Sequence, residues 1–241
     1  MQARKLMLGI GIAALPLFLS SISACKPTPK ERSSPANASK VEPEANHEGK
    51  PVIVALGDSL TAGLGVPAEE SYPNRLQEKL DRAGYNYRVV NAGVSGDTTA
   101  GGVRRVEWVL KSQPKIVILE LGGNDGLRGI PLEETRKNLE SIIQQLQSKD
   151  IRVVLAGMRM PSNYGESYRK GFDNIYTELA QKYRLSLIPF FLEGVAGKPF
   201  LNQADGIHPT GAGYQVIVEE IWKTLEPVLK KERERKRVGS P

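Results

Sequence analysis

The 241 residues are 40% apolar, 25% charged and 6% aromatic, with two histidines, one cysteine and a formal net charge of +6. A single cysteine excludes an intrachain disulfide, and so small a His/Cys complement gives no basis for a metal site built from those ligands. The positive charge belongs to the ends: Arg4 and Lys5 carry +2, residues 26–50 carry +1 and residues 230–237 carry +4, leaving the middle near −1 and excluding the electrostatic footprint of a nucleic-acid-binding domain.

The chain opens MQARKLMLGIGIAALPLFLSSISAC, the plan of an export signal over residues 1–24. Arg4 and Lys5 give a positive start, a short apolar run follows, and small residues lead to Cys25. The run is shorter than the roughly 20 apolar residues that a membrane-spanning helix needs. Ile22-Ser23-Ala24-Cys25 resembles the lipobox of bacterial lipoproteins, in which the cysteine is lipidated and becomes the new N-terminus. The expectation is an exported protein, lipid-anchored to the bacterial cell envelope at Cys25 and facing the periplasm or the outer surface. The competing reading is an ordinary secretory signal with a chance cysteine. From Cys25 to residue 50 the chain is rich in Pro, Ser, Ala, Glu and Lys without apolar periodicity, and reads as a flexible tether that holds His47 in solvent. One folded domain is expected over residues 51–229.

Within that domain, short β-branched runs alternate with longer amphipathic ones. VIVAL (52–56), IVILEL (116–121) and VVLAG (153–157) read as strands covered on both faces, with YRVVN (87–91) and LSLIPF (185–190) as weaker examples. Residues 72–84, 99–112, 132–149 and 168–183 read as helices, where Leu76 and Leu80, or Leu139, Ile142, Ile143 and Leu146, recur at helical spacing. A last helix covers roughly residues 211–229, and a charged tail, 230–241, follows as a solvated helix end or a contact for anionic phospholipid. This alternation implies an α/β protein, a three-layer α/β/α sandwich around a mostly parallel sheet of about five strands. In such sheets the active groups gather at the carboxyl ends of the strands.

The first strand runs into GDSLTAGLG, which puts Ser59 two residues beyond Gly57 at the mouth of the sheet. A serine hydroxyl attacks only when a base takes its proton; alone, Ser59 is equally a helix cap. The second strand runs into NAGVSGDTT (91–99), where Gly93 permits close backbone approach and offers an N–H to an oxyanion. The third runs into LGGNDG (121–126), a turn by composition that also carries the Asn124 amide. Ser59 N–H, Gly93 N–H and Asn124 together would make three donors for a tetrahedral oxyanion, each worth about 3 kcal/mol. Near the end, ADGIHPTGAGY (204–214) sets Asp205 three residues before His208, the one histidine of the domain. A tight turn there lets the carboxylate fix the imidazole tautomer while the other ring nitrogen faces Ser59. An isolated pair of this kind is a surface turn; with the serine and the donors it reads as a catalytic triad. A nucleotide site is not supported, because GLGVPA (63–68) contains Pro67 and lacks the strand–turn–helix setting.

GDSLTAG, NAGVSGDTT, LGGNDG and DGIHP resemble, in order, the four sequence blocks of the SGNH (GDSL) hydrolases, and the match runs over essentially all of residues 51–229. MRMPSNYGESY (158–168) and LIPFFLEGV (187–195) resemble the branch that holds the bacterial thioesterase I, lysophospholipase L1 and arylesterase. The resemblance implies a flavodoxin-like fold with Ser59 as nucleophile, His208 as base, Asp205 as its orienting partner, and Ser59, Gly93 and Asn124 as oxyanion donors. It implies no metal and no organic cofactor. It implies hydrolysis of carboxylic esters or thioesters, with a small-molecule or lipid ester as partner: lysophospholipids, fatty acyl thioesters or aryl esters. Pro161, Tyr164, Phe190 and Phe191 are candidates to border the acyl groove, with core packing the other reading for the two phenylalanines. The alternatives are a carbohydrate O-acetylesterase on the same scaffold and a non-catalytic envelope lipoprotein that uses its cleft for binding.

Overall fold

The computed structural model describes residues 49–238. The signal segment, Cys25 and the tether up to residue 48 lie outside the described residues, as do residues 239–241. The described residues form one compact unit.

Five parallel strands make one sheet in the order β2-β1-β3-β4-β5: β1 (Val52–Gly57), β2 (Arg88–Gly93), β3 (Pro114–Glu120), β4 (Arg152–Ala156) and β5 (Ser186–Ile188). Every residue of β1 is buried, as a strand covered on both faces requires, and its Val/Ile/Leu run supplies the middle of the core. Among the described residues, seven α-helices connect and cover the strands: α1 (Ser59–Ala62), α2 (Tyr72–Arg82), α3 (Thr99–Lys111), α4 (Gly123–Leu127), α5 (Leu132–Gln147), α6 (Glu166–Tyr183) and α7 (Gly211–Val238). α2 packs with α7, while α3 packs with α5 and α5 with α6, which gives two helix layers around the sheet. The α/β/α sandwich of the sequence reading is therefore the fold. The strand order reverses at β1, so the loops after β1 and β3 diverge and open a crevice at their carboxyl ends.

Three local features depart from the sequence reading. β5 is only three residues long, because Pro189 cannot donate to the ladder. α1 and α4 have four and five residues, too few to show a helical period. The last helix continues nine residues past Leu229, to Val238, so the charged tail begins as helix. Near its end, Glu232 pairs with Arg152 at the start of β4 at 2.7 Å.

Candidate active site

Ser59 opens α1 directly after β1. Asp58 caps this helix, its Oδ1 accepting the Leu60 N–H at 3.0 Å, and Gly63 ends it at φ 79° with its N–H on Ser59 O. His208 reaches the serine from the β5–α7 connection, with Nε2 2.9 Å from Ser59 Oγ. Its Nδ1 lies 2.6 Å from Asp205 Oδ2. Asp205 Oδ1 also accepts the N–H groups of Ile207 at 2.9 Å and His208 at 3.0 Å, so one carboxylate shapes the turn and orients the ring. The backbone bond from His208, then its imidazole and the Ile207 N–H, pull the Asp205 carboxyl down to about 2. An ionised carboxylate only accepts, which places the proton on Nδ1 and leaves Nε2 to take the one from serine. The structure thus brings the three predicted triad residues together.

The loop that carries His208 is pinned to the nucleophile's own loop. Gln203 Nε2 donates to Leu64 O at 2.7 Å and to Pro209 O at 3.0 Å, while the Gln203 N–H donates to His208 O at 2.7 Å. Buried Asn202 holds the base of the loop by donating to Val195 O and Lys198 O. Neither residue stood out in the sequence, because a polar pair ahead of DGIHP looks like ordinary loop composition.

The oxyanion donors need one correction. Gly93 does not face the cleft: its N–H is spent on Asn91 Oδ1 at 2.9 Å. A Cβ at Gly93 would lie 2.1 Å from Ala62 N, so this glycine lets the end of β2 press against α1. The residue that lines the cleft is Gly96, three positions on, whose N–H has no protein acceptor among the described residues. Its signal was the SGD turn itself, where Gly96 takes φ 79° just before the cap of α3. Arg105 fixes this turn: Nε donates to Asp97 Oδ2 at 2.8 Å, Nη1 to Ala92 O at 2.9 Å and Nη2 to Gly57 O at 3.1 Å. Asn124 does line the cleft. One of its amide hydrogens goes to Asp58 Oδ2 at 3.0 Å, which leaves the other for an oxyanion. Its neighbour Asp125 is turned inward, receiving the Thr99 N–H at 2.9 Å and the Thr99 hydroxyl, and so ties α4 to α3.

Two carboxyls sit behind the nucleophile. Burial raises Asp58 to about 6 against the opposing bonds from Leu60 and Asn124. Glu120 is fully buried at the end of β3, and burial, with Asp58 adding to it, holds its carboxyl well above the usual carboxylate range. Glu120 Oε2 accepts the Thr61 hydroxyl at 2.8 Å, and Oε1 has no partner among the described residues. Glu120 is thereby the buried carboxyl against which α1 rests.

The cleft has a volume of about 690 Å³ and runs from Ser59 and His208 between Leu64, Leu127, Met158, Met160 and Phe190. Pro161 and Phe190 border it, as expected. Phe191 and Tyr164 do not. Phe191 is fully buried, edge-on to Tyr72 at 5.3 Å, because the chain turns its side chain under the sheet's end into the core. Tyr164 stands behind the wall, stacked on Tyr168 and donating to Leu127 O at 3.1 Å. No group of three or more His, Cys, Asp or Glu side chains able to hold a metal occurs among the described residues.

The GDSL-like Lipase/Acylhydrolase family matches residues 55–216. Esterase TesA of Pseudomonas aeruginosa is 43% identical over 178 residues, covering 73% of this chain and 89% of the relative. Thioesterase 1/protease 1/lysophospholipase L1 of Escherichia coli K12 is 39% identical over 178 residues, covering 73% and 84%. The crystal structure of AlinE4, an SGNH-hydrolase family esterase, superposes with a TM-score of 0.64 at 47% identity, covering 78% of this chain and 98% of that one. The match thus spans nearly the whole of that chain.

Proposed function

The chain belongs to the GDSL-like lipase/acylhydrolase family and is a serine ester hydrolase; from that premise we propose that it acts on esters or thioesters with extended acyl chains, such as lysophospholipids, at the cell envelope. The observation that carries the substrate reading is an apolar cleft leading straight to the relay Ser59 Oγ, His208 Nε2 and Asp205. Its volume and its leucine, methionine and phenylalanine walls suit hydrocarbon better than a sugar.

In the reaction, His208 Nε2 takes the Ser59 proton as Oγ attacks the carbonyl carbon. The carbonyl oxygen, now an oxyanion, is met by the Ser59 and Gly96 N–H groups and the free Asn124 hydrogen. Asp205 stabilises the imidazolium. Collapse of the intermediate breaks the bond to the leaving alcohol or thiol, which receives the proton from Nε2. Water then gives its proton to His208, attacks the acyl-serine and releases the acid, with the proton returned to Ser59.

The test uses p-nitrophenyl esters from acetyl to palmitoyl, with Ser59→Ala beside the parent. Serine-dependent turnover that peaks at medium or long chains supports the proposal, whereas strict acetyl preference replaces it with a carbohydrate deacetylase. The envelope location rests on the lipobox at Cys25. Expression of the full chain in a bacterial host should yield membrane-bound protein with a lipid-modified cysteine, and Cys25→Ala should leave it unlipidated; an unmodified parent would sink the anchor.

A further inference from the structure

Five large apolar side chains stand exposed among the described residues: Leu64, Val94, Leu127, Phe200 and Ile207. Scattered exposed apolar residues need no explanation, but a group gathered in one place does. Leu64, Leu127 and Ile207 line the mouth of the catalytic cleft. Val94 lies two residues before Gly96 of the same cleft, and Phe200 lies in the 3-10 turn Pro199–Leu201, just past Ala196 and Gly197 of its wall. All five therefore belong to the connections that follow strands at the carboxyl end of the sheet. Phe200 is 93% exposed, with essentially no packing partner among the described residues.

We propose that this end of the domain docks on a phospholipid surface, with Phe200 and the apolar rim inserted so that the cleft opens into the lipid. The inference rests on the acyl-ester reading given above, and it supplies the route: an ester passes from the lipid to Ser59 without crossing water. Lys198 and Arg128 stand exposed beside Phe200 and Leu127, and neither makes an ion pair among the described residues. Cations flanking an apolar anchor suit the headgroup phosphates above buried acyl chains. A second copy or a protein seated on the same rim would close the passage to the nucleophile.

Chain reach allows the orientation. The folded unit begins at the start of β1, the end of the sheet opposite the cleft. Twenty-five positions separate Cys25 from Lys50, and at about 3.3–3.6 Å each they reach at most roughly 80–90 Å. A folded unit of this size has a radius of gyration of about 16 Å, so an anchor at Cys25 permits the rim to face the same membrane. The rival orientation uses the basic end of α7. The Arg152–Glu232 pair puts that end at the base of the sheet, so binding through it would turn Ser59 away from the lipid.

The experiment measures co-sedimentation of residues 43–241, carrying Ser59→Ala to prevent lipid turnover, with phosphatidylcholine vesicles containing some phosphatidylglycerol. Phe200→Ser should lower partition about tenfold or more, and Lys198→Glu should weaken binding to the anionic vesicles. With Ser59 intact, Phe200→Ser should leave p-nitrophenyl butyrate hydrolysis in solution unchanged while hydrolysis of a long-chain ester in the vesicles falls. Equal partition of parent and Phe200→Ser overturns the proposal, as does the absence of vesicle binding. Binding abolished by salt but indifferent to Phe200 assigns the contact to the tail of α7. Phe200-dependent self-association without vesicle binding assigns the rim to a second copy. Phe200-dependent vesicle binding by a protein that hydrolyses no ester would keep the docking and reject the substrate reading.

Discussion

At the scale of single residues, Asp205 does two jobs that substitution can separate. Asp205→Asn keeps an oxygen for the Ile207 and His208 N–H groups, so the turn should survive, yet it removes the charge that fixes the imidazole. Turnover should fall about 10³–10⁴-fold with little change in KM; a fall below tenfold would deny Asp205 its orienting role. Glu120 makes a prediction about stability. Its folded-state carboxyl is raised by burial, so its contribution is fully present below the unfolded carboxylate range and is lost as pH rises through the folded value. Asp58, raised to about 6, acts in the same direction. Asp205, lowered to about 2, acts oppositely and loses its contribution only as pH falls toward that value. Glu120→Gln keeps a neutral acceptor for Thr61 and removes the titration. Urea unfolding should show the variant gaining on the parent as pH rises above the ordinary carboxylate range, and a gap that stays constant would mean Glu120 does not titrate there.

At the scale of elements, the sequence announced what periodicity and composition can carry. The β1 and β3 runs and the helices with leucines at regular spacing were legible, as were the blocks holding Ser59, Asn124, Asp205 and His208. Gly93 shows where such reading stops. Two glycines three residues apart close and follow β2, and composition cannot tell which N–H is already used. The difference lies in tertiary contact: Gly93 meets α1, and Gly96 meets the cleft. Phe190 and Phe191 pose the same problem, since adjacent side chains at the end of a strand point to opposite sides. Substitution separates the glycines. Gly93→Ala forces a methyl against Ala62 and should cost about 3 kcal/mol of stability or block folding. Gly96→Ala has no close neighbour in the way, with Arg128 nearest at 3.6 Å, although φ 79° strains it. That variant should fold and lose about 10²-fold in turnover as the oxyanion donor shifts. The reverse pattern, a stable Gly93→Ala with the lower turnover, would restore Gly93 to the oxyanion hole.

At the scale of the whole molecule, chemistry is confined to one end of the sheet, while the start of β1 and the Glu232 turn of α7 lie at the other. Strand polarity causes this: in an all-parallel sheet every loop after a strand emerges on the same side, so Ser59, Gly96, Asn124 and His208 converge although up to 149 positions separate them. The sequence revealed that convergence only through the strand-end rule, and it could not place the last helix's charged end relative to the cleft. Leu225, Val228 and Leu229 of α7 are buried, whereas the turns beyond them contribute mainly the part-exposed Arg152–Glu232 pair. Such a pair is worth about 0–1 kcal/mol. A chain ending at residue 229 should therefore fold, lose no more than about 1–2 kcal/mol including the frayed helix end, and hydrolyse a soluble ester at the parental rate. A chain ending at residue 224 removes the three buried side chains, each a loss of about 2–5 kcal/mol at this depth, which approaches the whole stability of a domain. Circular dichroism and ester turnover on the two truncations distinguish a dispensable tail from a structural one. Loss of turnover in the first chain, with its fold intact, would show that the far end of α7 acts on the cleft across the length of the sheet.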